Sequence, residues 1–178
     1  MLQSKLPDVG TTIFTRMSAL ANEQHALNLS QGFPDFQAPQ ALRTALAHHA
    51  LEGHNQYAPM AGLPALREAI AGQLARHRGV RCDPETEITV VPGATEAIFC
   101  AITACVRPGD EVILLDPCYD SYRPAVTLAG GIPVHVPLGA AAFAPDWERI
   151  ESAISDSTRL LVINSPHNPT GAVMSRDD

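Results

Sequence analysis

Glu111-Val112-Ile113-Leu114-Leu115-Asp116-Pro117-Cys118-Tyr119-Asp120-Ser121-Tyr122 is the stretch on which the fold turns. Residues 112–115 are apolar without a break, so the segment has no face suited to water. Strands with one wet face alternate, whereas unbroken apolar runs bounded by turn formers belong to strands covered on both sides. Asp116 and Pro117 end the run in a polar turn, and residues 121–129 take up helical character. Outward from this unit the alternation repeats. Short β-branched or aliphatic runs at 88–91, 132–136 and 159–163 predict strands, and residues 94–106 and 146–154 predict helices. Strands alternating with helices imply an α/β fold: a mostly parallel sheet between two helical layers.

Ligands of open α/β sheets collect beyond the C-terminal ends of the strands, so the three turns leaving those ends are the places to look for chemistry. In Val91-Pro92-Gly93-Ala94-Thr95-Glu96-Ala97 a predicted strand passes through Gly93 into a helix. The first amides of a helix lack internal partners and lie at the positive end of its dipole, a geometry that suits phosphate. Thr95 adds a hydroxyl. A tight turn with an N-capping residue accounts for the same letters. In the second turn, Tyr119 has a ring able to lie against a flat aromatic ligand, or to pack under its own loop. In the third, Asn164-Ser165-Pro166-His167-Asn168-Pro169-Thr170-Gly171, the prolines and glycine make a rigid turn. Either X-Pro bond there could be cis. Asn168 offers a donor and an acceptor, or serves a structural Asx turn. Three polar turns after successive strands would converge on one crevice.

The N-terminal part is organised differently. Residues 1–37 read as an irregular arm, rich in turn formers around Gly32-Phe33-Pro34-Asp35-Phe36. Residues 39–52 and 63–78 predict helices, with stripes of Leu42, Leu46, Ala50 and of Leu66, Ile70, Leu74, stopped by Gly53 and Gly79. A boundary at 56/57 separates an N-terminal segment from the sheet-bearing residues 57–178.

The chain has 178 residues, 46% of them apolar, which supports a buried core. Its net charge is -7 with no basic run, which argues against nucleic acid as a partner. No apolar stretch approaches the roughly 20 residues that span a bilayer, and the N-terminus leads into no signal-peptide core. Cys82, Cys100, Cys105 and Cys118 have no metal-binding spacing and read as reduced thiols of a cytoplasmic protein. His48 and His49 do not form a helical metal pair, so no metal is expected. Ser175-Arg176-Asp177-Asp178 has the form of a capping box that announces a further helix, which predicts truncation at the C-terminus.

Together with Tyr57-Ala58-Pro59-Met60-Ala61-Gly62-Leu63 and the opening residues 9–20, these motifs resemble the class I/II aminotransferases. Within that family they are most similar to bacterial methionine and to kynurenine aminotransferases. Five motifs stand in family order and spacing across nearly the whole chain. The resemblance implies the aspartate-aminotransferase-like large domain: three α/β/α layers, mostly parallel and here incomplete, holding pyridoxal 5'-phosphate (PLP). It implies that Gly93, Ala94 and Thr95 form the phosphate cup and that Tyr119 stacks on the pyridine ring. Asn168 would bond the ring's 3-oxygen near the substrate carboxylate, and the backbone at Gly32 would contact that carboxylate. Tyr57 would reach the phosphate of the partner subunit in a homodimer with shared sites.

The resemblance implies amino-acid and 2-oxo-acid substrates. Ile13 and Phe14 of the arm are expected to line a side-chain pocket, which methionine or an aromatic amino acid would suit. The family's Schiff-base lysine has no match, because the single lysine is Lys5, in the arm and outside any family motif. The chain by itself is therefore expected to be inactive. A C–S β-lyase on the same fold and a non-catalytic remnant are the alternatives.

Overall fold

The computed structural model describes residues 3–32, 34–140 and 142–176. The chain divides into two compact units, Met1–Thr12 with Gly93–Asp178, and Ile13–Pro92. Residues 57–92 thus group with the helices before them rather than with the sheet.

In the first unit β1 (Glu111–Asp116) lies between β2 (Ile132–Pro137) and β3 (Thr158–Val162), all parallel, in the order β2-β1-β3. A central parallel strand is covered on both faces, which is why 112–115 had to be apolar throughout. Val112, Ile113 and Leu114 are completely buried.

Alternation of side chains along β1 divides the core in two. Val112 and Leu114 pack with Ile102 of α4 (Ala94–Cys105), with Val106 just after it, and with Tyr122, Ala125 and Val126 of α5 (Tyr122–Leu128). Ile113 and Leu115 face the other way, onto Val136, Ile150 of α6 (Trp147–Ser152) and Met174. Helices therefore cover both sheet faces, and the three-layer α/β/α expectation holds. Asp146 caps α6 by accepting a hydrogen bond from the Arg149 amide.

The second unit carries α1 (Ile13–Glu23), α2 (Gln40–Leu51) and α3 (Pro64–Arg78). The helix at 13–23 corrects the expectation of an irregular arm over residues 1–37. Phe14, Met17 and Ala21 recur at helical spacing, and the turn formers that suggested an arm begin only after Glu23. The Ser18 hydroxyl donates to Gln31 Oε1 (2.9 Å) and accepts from Asn28 Nδ2 (3.0 Å), folding that later segment back along α1. Phe33, part of the motif quoted above, lies outside the described residues, as do Asp177 and Asp178 of the capping box. α2 and α3 form where expected, but neither contains a buried residue. The stripe of α2 is open to solvent, with Leu42 63% and Leu46 72% exposed.

The expected strand at 88–91 is the second correction. A strand needs a neighbour that offers a ladder of partners. Here the Val90 amide donates to the carbonyl of Ala61 (3.0 Å), and residues 88–91 join no sheet among the described residues. The pairing nonetheless explains Gly62, which is buried with a φ of +97°. A Cβ there would lie 2.7 Å from the Cβ of Val90, so only glycine lets the loop lie on the 88–91 segment.

Candidate active site

The site begins where α4 begins. Gly93 has φ +130° and ψ 169°, a backbone region open essentially to glycine alone. A Cβ at Gly93 would meet nothing within 4 Å, so the residue is dictated by the path of the chain and not by crowding. No side chain caps α4, and its first intrahelical bond runs from the Ala97 amide to the Gly93 carbonyl (3.1 Å). The amides ahead of Ala97 have no partner within the helix and lie at the positive end of its dipole. Gly93, Ala94 and Thr95 are all exposed.

Tyr119 approaches this cup from the turn after β1. Its hydroxyl lies 3.1 Å from Oγ1 of Thr95. The ring is half-buried and leans edge-on against Tyr122, with centroids 5.8 Å apart at 74°. Tyr122 in turn sits in the core cluster beneath α5, so the ring of Tyr119 is held from below while one side of it borders the cup. Burial pushes the Tyr122 phenol up, helped by the neighbouring Cys118 and Tyr119.

Asn168 stands in the turn after β3, the strand beside β1, and so at the same end of the sheet as Tyr119. Asp116-Pro117, Ser165-Pro166 and Asn168-Pro169 are all cis. The Asn168 amide donates to Oδ1 of Asn164 (2.7 Å). His167 is buried, with Nδ1 2.8 Å from the Thr170 hydroxyl, while its amide donates to the Ala172 carbonyl. One side of this turn is thus anchored inward, and Asn168 is left facing solvent. Thr95 and Tyr119 are joined directly, and Asn168 is placed alongside by topology. Gly32 and Tyr57 belong to the other compact unit. Gly32 is exposed with open space where a Cβ would stand, and Tyr57 is fully exposed.

One constellation here was not legible in the sequence. Asp116 ends β1, Cys118 follows two residues later, and Nδ1 of His135 on β2 lies 2.9 Å from Asp116 Oδ2. The Cys118 thiol is pushed up to about 12 from 9.0, first by burial and then by its hydrogen bond to Asp116 and the charge there. At neutral pH it is protonated and a poor nucleophile. With iodoacetamide at pH 8, Cys118 should be alkylated at least about tenfold more slowly than the exposed Cys100 or Cys105, as read by peptide mapping. The folded chain keeps a proton that the unfolded chain begins to release near pH 9. This group's contribution to stability is therefore complete below pH 9 and is lost as pH rises through about 12.

The aminotransferase class I and II family matches residues 24–178. The chain belongs to that family. It is 54% identical over 176 residues to the methionine aminotransferase of Escherichia coli (strain K12), covering 99% of this chain and 46% of that relative. It is 50% identical over 177 residues to a probable N-succinyldiaminopimelate aminotransferase of Mycobacterium tuberculosis, covering 98% and 45%. The crystal structure of YbdL from Escherichia coli, described as having a methionine aminotransferase function, superposes with a TM-score of 0.95 at 54% identity, over 100% of this chain and 47% of that one. The chain spans about half the length of the curated relatives it matches. The family is one of enzymes that act on amino acids and 2-oxo acids, and it implies PLP as the cofactor. Among the described residues no helix is long and apolar enough to cross a membrane.

Proposed function

We propose that the whole protein is a PLP-dependent aminotransferase that moves an amino group from an amino acid, methionine or an aromatic one, to a 2-oxo acid. The observation that carries the reading is the 3.1 Å approach of the Tyr119 hydroxyl to Thr95 beside the uncapped start of α4. A flat, phosphorylated ligand needs an anion cup and a ring wall within one molecule's length of each other. Gly93, Ala94 and Thr95 supply backbone amides and a hydroxyl for the phosphate. Tyr119 supplies the wall, held against Tyr122. Asn168, its backbone tied to Asn164, directs its side-chain amide at a ring oxygen or the substrate carboxylate. PLP bound there would supply an electron sink for the α-carbon of the substrate.

The rest of the reading concerns the assembled protein. Tyr57, fully exposed, reaches the phosphate of a partner subunit in a homodimer, and the backbone of Gly32 meets the substrate carboxylate. Residues 1–56 serve as arm and small-domain segment and residues 57–178 as the incomplete PLP-binding domain of a cytoplasmic enzyme, a functional division that cuts across the compact unit Ile13–Pro92. The 178-residue chain alone has no turnover, for want of the Schiff-base lysine.

In the whole enzyme, Tyr119→Ala should release PLP at least about tenfold faster than Cys118→Ala, because base-type stacking on an aromatic is worth about 1–3 kcal/mol. Equal dissociation rates in the two variants would remove the stacking role. Keto-acid product that depends on added 2-oxo acid identifies transfer, and product formed without it identifies β-elimination.

A further inference from the structure

Three potential metal ligands of different chemistry meet at the C-terminal edge of the sheet, outside the cup and ring described above. Parallel pairing sets Leu114 opposite His135 and Asp116 opposite Pro137. Leu114 and Asp116 share a sheet face, because residues two apart on a strand point the same way. His135 shares that face, since its neighbours Val134 and Val136 pack into the opposite core. His135 is thus the diagonal neighbour of Asp116, and its Nδ1 reaches Asp116 Oδ2 at 2.9 Å. The turn at Pro117 brings Cys118 back over the same spot. One ligand atom from each of Asp116, Cys118 and His135 lies within 4.8 Å of the others.

We propose that Asp116, Cys118 and His135 form a binding site for a single divalent metal ion of the zinc class. Carboxylate, thiolate and imidazole make the mixed O, S, N set that Zn²⁺ accepts, and three protein ligands leave the fourth tetrahedral position to water. In such a site ligand atoms stand roughly 3.3–3.6 Å apart, as bond lengths of about 2.0–2.3 Å require. The Nδ1–Oδ2 pair at 2.9 Å needs to open by only a few tenths of an ångström. The ion takes the place of the proton between those two atoms. The imidazole binds as the neutral ring with its proton on Nε2, and Cys118 releases its thiol proton to solvent as the dication supplies the charge that stabilises the thiolate. The side chains of His135 and Asp116 are each 37% exposed, so the ion has an entry path and its water a place. The site stands apart from the reading of α4 as a phosphate cup and does not depend on it.

Co²⁺ titration of the protein as its gene encodes it tests the site, with Zn²⁺ as competitor. The expected result is one Co²⁺ per chain with an intense sulfur-to-cobalt charge-transfer band, erased by stoichiometric Zn²⁺. Cys118→Ser should abolish the band. His135→Ala should weaken Co²⁺ binding at least about tenfold. Replacing Cys82, Cys100 and Cys105 together by serine should leave the band in place. Absence of the band in the unmodified protein, or its survival in Cys118→Ser, overturns the proposal. Should Cys118→Ser fail to fold, the exposed His135 carries the test, and unchanged affinity in His135→Ala overturns it.

Discussion

Residues 1–178, supplied with PLP, an amino acid and a 2-oxo acid, should produce keto acid no faster than PLP alone in the same buffer. Enzymes of this kind commonly accelerate their reactions by ~10⁶-fold or more, so this is the largest effect expected for the chain. The reasoning starts from the amine. PLP chemistry uses a lysine both to hold the cofactor and to move the proton between it and the substrate. The only lysine is Lys5. Its surroundings are Pro7, Asp8 and Val9 with Arg123, Pro124 and Thr127, a small cavity against α5 rather than the cup at Thr95. On the proposed reading the Gly93–Thr95 amides, the Tyr119 ring and Asn168 would hold and orient PLP, but none of them offers a free amine. Rates measured by coupled assay at saturating PLP decide the matter: turnover more than about tenfold above the cofactor blank means that another group replaces the lysine. Lys5→Ala serves as the control, and a rate that falls in that variant would show the arm lysine to be the replacement.

Much of this arrangement was written in the chain, and the failures share a cause. The run 112–115 announced a doubly covered strand because burial on both faces leaves no room for a polar residue. Gly93 announced a turn into a helix because few backbone paths demand glycine so strictly. Both signals are local. The missed features depend on partners distant in sequence. Residues 88–91 have strand composition, but whether they join a ladder depends on a neighbour, and the one offered is a single carbonyl of Ala61. Met17 and Ala21 had helical spacing, which the turn-rich motif just after them obscured. His135 gave no sign of Asp116 or Cys118, because only the register of β1 on β2 sets them together. The Thr95–Tyr119 approach was foreseen only in outline: both turns had to leave the same sheet edge, but their 3.1 Å separation is set by the packing of α4 and α5 on β1.

Leu114→Ala should cost about 2–5 kcal/mol of stability, the range for truncating a fully enclosed leucine. Leu114 is completely buried, between the α4–α5 layer above and its own strand neighbours, and it belongs to the cluster with Ile102, Tyr122 and Val126. Removing its branched end leaves a void that two helices and a hydrogen-bonded strand cannot close by small shifts, so the cavity cost adds to the lost transfer energy. Domains are stable by only about 5–15 kcal/mol, so one such change removes a large share. Ile154→Ala in the same unit is the matched control: that side chain is 58% exposed, and its loss should change stability by about 0.5 kcal/mol or less. The single tryptophan, Trp147, begins α6, whose Ile150 packs on Ile113 and Leu115, so its fluorescence in a urea titration reports this core. The midpoint should fall sharply for Leu114→Ala with little change in slope and stay near the parent value for Ile154→Ala. Equal shifts in the two variants would mean that β1 is not the strand on which both helical layers rest, and the placement of Tyr119 and Cys118 at its end would fail with it.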